Sequence, residues 1–183
     1  MPEVLEQVAE RYSIPTSVSS VYASLRPEAR STLTYEQKEF INSLDTFEAP
    51  YLQEKLLNDG KFSSPGEYQE AFTEFKKFVL LTQVSRETLG MTSPKVDEVW
   101  HQFILFTPEY HGFCEDLLGR YLHHAPKTSY TKGNPNGRKN FERAYQETFS
   151  GIPNIWDGDD YCGDKCGGYC DGKCEGKCEV PPE

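Results

Sequence analysis

The stretch 93-SPKVDEVWHQFILFTPEYHGFCEDLLGRYLHH-124 decides how the chain is read. It holds all four histidines (His101, His111, His123, His124) and Cys114, the one cysteine that precedes Cys162. Ser93-Pro94 and Thr107-Pro108 each place a capping hydroxyl before a proline, which loses nothing at a first helical position because its missing N–H is unpaired there anyway. The spacing therefore predicts two helices, about 94–106 and 108–118, the second ended by Gly119. On the first, Val96, Val99, Trp100, Phe103, Ile104 and Phe106 fill one face at 100° per residue. On the second, Tyr110, Phe113, Cys114, Leu117 and Leu118 do the same.

Outward from this pair the pattern stays helical. Residues 3–12 read as a helix, and so do 34–47, where Thr34 and Gln37 have capping-box spacing. Residues 49–58 form a short amphipathic helix. A long helix over 65–85 shows Tyr68, Phe72, Phe75 and Val79 on one face. A Pro/Gly/Asn-rich loop after His124 leads to a helix at about 138–148, and GIPNIW reads as a strap with Trp156 docked on the body. No segment alternates with the two-residue period of a strand. The expectation is an all-α, compact bundle of five or six helices with a flexible Cys/Gly-rich C-terminal tail. It divides into an N-terminal helical extension (1–46), a helical domain (47–156) and an acidic tail (157–183).

The chain has 183 residues and a net charge of −10. The tail from Asp157 carries eight carboxylates against Lys165, Lys173 and Lys177. An acidic chain without a basic stripe repels nucleic acid and anionic membranes. No apolar run approaches the roughly 20 residues of a membrane span, and MPEVLEQVAE is not a signal peptide. A cytoplasmic setting follows, in which clustered thiols bind metal more often than they pair.

Two groups of residues carry chemistry. The first is the tail, CGDKCGGYCDGKCEGKC, in which Cys162, Cys166, Cys170, Cys174 and Cys178 recur every four residues between glycines and charges. Glycine lets a backbone wrap, so several thiolates can surround one soft ion such as Zn²⁺ or Cu(I). The period matches neither CxxC zinc pairs nor ferredoxin runs. The second, weaker group is Asp97, His101, His111 and His124. Asp97 and His101 are one helical turn apart, so the carboxylate either orients the imidazole or shares an ion with it. His111 and Cys114 lie on the neighbouring helix, and His124 follows the Gly119 turn. Cys114, amid apolar residues, reads first as core.

These residues carry a resemblance. FKKFVLL, SPKVDEVWHQFILFTPEYHGFCEDLLGRYLHHAP, NFERAYQETF and IPNIW resemble the glycine-rich domain-containing protein-like family of bacteria and plants, over about residues 47–156. Its hallmark of Asp-x-x-Trp-His, Tyr-x-x-x-Cys and Gly-x-x-x-x-His is met by Asp97, Trp100, His101, Tyr110, Cys114, Gly119 and His124. Members often carry a histidine two residues after the first, where this chain has Phe103. The resemblance implies a helical domain and supplies no reaction.

The functional expectation is a non-enzymatic protein that binds a soft metal, Zn or Cu(I), through the tail thiolates, with a metal-trafficking partner. One alternative is a precursor peptide whose tail cysteines are altered by a modifying enzyme. Another is an enzyme built on the His/Cys cluster of residues 97–124.

Overall fold

A computed structural model describes residues 20–125 and 134–157. Eight helices follow one another: α1 (Val21–Ser24), α2 (Pro27–Ser31), α3 (Tyr35–Thr46), α4 (Pro50–Asn58), α5 (Pro65–Val84), α6 (Pro94–Leu105), α7 (Thr107–Phe113) and α8 (Gly137–Thr148). A π-turn, Cys114–Leu118, prolongs α7, and a 3-10 turn, Asn154–Trp156, closes the strap. Among the described residues there is no strand, only one bridge between Leu25 and Phe149, and no helix is long and apolar enough to cross a membrane. The fold is all-α.

Local chemistry sets the boundaries. Ser64 and Ser93 accept the backbone N–H of Glu67 and Val96, and each is followed by proline. Thr34 and Gln37 form the full capping box, each side chain accepting the other's N–H. Thr107 departs from expectation. It lies inside α7, Phe106 occupies the cap, and no side chain bonds there. Phe106 ends α6 and starts α7 at once, so the two helices meet at a one-residue elbow with no room for a separate cap.

The long helix α5 is the axis of the molecule. The sequence shows an apolar stripe, but every residue from Ala71 to Leu81 is buried, including Thr73, Glu74, Lys76 and Lys77. A helix buried all round must have neighbours on every side, and α1, α3, α4, α6 and α8 all pack on it. Phe47, Phe72, Phe75, Phe103 and Phe113 form one cluster whose contacting rings have centroids 4.8–6.4 Å apart. Each such pair contributes about 0.5–1.5 kcal/mol beyond the area it buries.

Two of the three buried charges of α5, Glu74 and Lys77, match each other. Glu74, 3% exposed, accepts from Lys77 Nζ at 2.7 Å through Oε1. Its Oε2 accepts from the Tyr145 hydroxyl and from Trp156 Nε1, both at 2.7 Å. One carboxylate thus fastens α8 and the strap to the central helix, and Trp156 docks as the sequence suggests. Two glycines allow a further join. Gly90 N–H donates to the Gly137 carbonyl at 2.9 Å, and a Cβ on Gly90 would lie 2.9 Å from the Gly137 carbonyl carbon.

Residues 20–46 belong to the same body. Val21, Leu25, Ile41 and Leu44 are buried in the shared core. Asp45 accepts from the Ser20 hydroxyl and from the Val21 and Tyr22 N–H groups, which pins α1 to the end of α3. Arg26 N–H donates to the Thr148 carbonyl at the end of α8. The helix expected over 3–12 and the tail beyond Asp157 lie outside the described residues.

Glu74→Ala leaves the Lys77 ammonium buried without its counter-charge, which costs about 3–5 kcal/mol. Urea unfolding reads this directly, and the joint change Glu74→Leu with Lys77→Met recovers only the charge part of the loss, because the Tyr145 hydroxyl and the Trp156 N–H stay without their acceptor. Lys76 generates a second prediction. Its Nζ donates to the Asp45 carbonyl at 3.2 Å and lies over the Phe72 ring. Burial pushes its pKa down to about 8, against the pull of Asp45 and Glu48. Between that value and the usual 10.5 the unfolded chain binds more protons, so this site adds stability as pH rises. Tyr51, pushed up to about 12 by burial and then by Glu109, acts in the opposite sense above its usual 10. From pH 8 to 10, therefore, the native chain gains stability over Lys76→Met in urea melts. Parallel curves for the two proteins would contradict this.

Candidate metal centre

The first turn of α6 sets Asp97 near the positive end of a helix, and His101 stands one turn on. His101 Nδ1 is 3.7 Å from Asp97 Oδ2, with the imidazole half exposed. The remaining member arrives from beyond α7. At Gly119 the backbone takes φ +62°, a left-handed conformation that glycine adopts without strain, and the chain turns back toward α6.

What fixes the returning segment is a short polar relay inside the core. Trp100 Nε1 donates to the Tyr110 hydroxyl at 2.8 Å, and that hydroxyl donates to the Leu122 carbonyl. Leu122 is buried, so its carbonyl needs this partner. Burial holds the Tyr110 hydroxyl well above the usual tyrosine pKa, which keeps its proton available for the donation. Two residues later His124 lands on the Trp100 indole, ring centroids 4.3 Å apart. Its Nε2 is 2.7 Å from Asp97 Oδ1, and its ring is 4.5 Å from that of His101.

Asp97, His101 and His124 thus offer three ligand atoms within 4.8 Å of one another. Their side chains grade from 50% exposed at His101 through 30% at Asp97 to 11% at His124, so the cluster is rooted in the core and opens to solvent. Two imidazoles and a carboxylate form a borderline donor set, suited to zinc, iron or manganese rather than to Cu(I), which prefers sulfur.

The other candidates lie elsewhere. His111 does not join the cluster. Tyr110 takes the core-facing position of α7, which turns the next residue outward, and His111 is 65% exposed with Nδ1 3.5 Å from Glu115. His123 is exposed beside the Tyr121 ring. Cys114 is 1% exposed and belongs to the core. Phe103 is wholly buried among Phe47, Phe75 and Phe113, so its position faces away from the cluster. Cys162, Cys166, Cys170, Cys174 and Cys178 lie outside the described residues.

Sequence reading placed Trp100 and Tyr110 on apolar faces but missed the relay that makes them position His124. A signal was present, since a buried indole N–H and a buried phenol each need a partner. It also missed Glu74 and Lys77, visible as an acid–base pair three residues apart within FTEFKKFVLL.

A family model described as UCP032817-like matches residues 36–150, from the first turn of α3 to just past α8. No curated protein and no solved structure matches the chain.

Tyr110→Phe removes one acceptor and one donor, stranding the Trp100 N–H and the Leu122 carbonyl in the core. We expect a loss of about 2–6 kcal/mol in urea unfolding, at 1–3 for each unpaired group. Diethylpyrocarbonate should also react faster at His124, as peptide mapping reads it. Unchanged stability together with an unchanged His124 rate would show that the relay does not hold this residue.

Proposed function

The chain belongs to the UCP032817-like family, and we propose that it is a metal-binding protein whose body holds a divalent first-row ion, zinc foremost, on Asp97, His101 and His124. The convergence of their three ligand atoms within 4.8 Å carries this reading. Zinc takes nitrogen and oxygen ligands at about 2.0–2.2 Å, so atoms sharing one ion stand at most about 4 Å apart. Rotation of the half-exposed His101 closes the remaining gap of up to about 0.8 Å. Asp97 already meets His124 through one oxygen and His101 through the other. An ion entering between them replaces hydrogen-bond contacts with metal bonds and leaves the backbone in place.

Most of the residues that resemble the glycine-rich domain-containing protein-like family serve this centre. Asp97, His101 and His124 are the ligands, Trp100 and Tyr110 hold the returning segment, and Gly119 makes the turn. The proposed role is metal binding. The five periodic thiols of the tail suit a soft ion, Zn²⁺ or Cu(I), as a second donor set, and a protein with both sets fits metal storage or transfer to a partner.

Native mass spectrometry with elemental analysis, on full-length protein purified under reducing conditions, tests the body site. In a chain with all five tail cysteines changed to serine we expect one zinc per chain. Adding His101→Ala or Asp97→Asn should weaken it at least tenfold. A five-serine chain that binds no zinc would show that the body holds no such site.

A further inference from the structure

Zinc with three protein ligands keeps a fourth position for water or for a ligand from solution. Among the described residues no fourth His, Cys, Asp or Glu joins Asp97, His101 and His124. The group opens to solvent on the side of His101, whose imidazole is half exposed. What stands beside that opening selects what enters it.

The next turn of α6 is apolar and faces water. Three and four residues after His101 come Ile104, partly buried, and Leu105, 71% exposed. Residues at these spacings share a helix face. Helical side chains also lean toward the N-terminus, over the turn that precedes them. Ile104 and Leu105 therefore lean toward His101 and the proposed ion. Asp97, His101 and Leu105 make one stripe of two turns, about 11 Å long. It begins at the metal donors and ends on exposed apolar surface.

Charge selects the group that meets the ion. A divalent ion on two neutral imidazoles and one carboxylate carries net charge +1. The other charges of α6 are already matched, Lys95 by Glu67 at 2.7 Å and Glu98 by Lys61 at 3.2 Å. An anion at the fourth position makes the centre neutral, and oxygen suits a borderline ion such as zinc. A carboxylate supplies both. An aliphatic chain behind it then lies along the stripe and covers Leu105.

We propose that the fourth position takes the carboxylate of an aliphatic acid, with Ile104 and Leu105 seating its chain. A carboxylate oxygen replaces a bound water, which leaves for solvent, and no electron or proton changes hands. This rests on the body site being a metal centre, and the test separates the two ideas.

Cobalt(II) substitutes for zinc, and its visible absorption responds to each ligand it carries. The full-length five-serine chain, which keeps tail thiolates off the ion, is loaded with one equivalent of Co²⁺. It is then titrated with acetate or with octanoate at fixed ionic strength. Both acids should change the cobalt bands to a saturating end point. A methylene withdrawn from water is worth roughly fourfold in affinity, so covering two gives octanoate an advantage of about tenfold. In Leu105→Ser that advantage should fall to about twofold or less. Bands that ignore both acids, equal affinities for the two, or a preference that survives Leu105→Ser would each overturn the proposal and leave the metal centre standing. Cobalt that fails to bind, or that binds as tightly in His101→Ala, would sink the centre itself and the proposal with it.

Discussion

The carboxylate of Glu74 is the constraint on which the rest of the body depends. A charge placed in the core costs several kcal/mol unless it is matched in full, and here three donors from three separate segments meet it. Lys77 supplies the counter-charge, Tyr145 draws in α8, and Trp156 draws in the strap. An apolar residue in its place would keep the helix but remove the directional reason for these segments to converge. Hydrophobic burial gives the bundle its cohesion, while Glu74 gives one side of it its register.

A similar division holds at the proposed metal site. Asp97 and His101 are set by a single helix and need nothing beyond α6. His124 is set by tertiary structure, through the left-handed Gly119, the Tyr110 relay and the face of Trp100. Two of the three groups are therefore in place as soon as the helix forms, and the third arrives when the core closes. A site assembled in this order exists only in the folded protein, so any ion bound there also stabilises the fold by mass action.

Much of the fold was legible because its signals are local. Ser93-Pro94, the Thr34–Gln37 pair and Gly119 announce helix ends through bonds or dihedrals within a few residues, and the structure places those ends where they point. The polar side of α5 was not legible. The partners that bury Glu74 stand 71 and 82 residues further along, and no periodicity within the helix foretells them. The candidate site divides in the same way. Asp97 with His101 follows from helical spacing, whereas His111, grouped with them from its place on the neighbouring helix, is turned away from them beside Glu115. The return of His124 depends on a tyrosine hydroxyl finding a backbone carbonyl, which spacing does not encode. Thr107 shows the limit of local signals, since its capping pattern is intact but the elbow at Phe106 leaves it no cap to make.

The contact between His124 and Trp100 gives the molecule a built-in optical gauge. The chain has two tryptophans; Trp100 lies against His124 with the rings tilted by 53°, while Trp156 answers to a carboxylate in the core. An imidazole that gains a proton or an ion becomes a stronger electron acceptor and dims an indole lying 4.3 Å away. Filling of the proposed site would therefore be read in the emission of Trp100, with no added label.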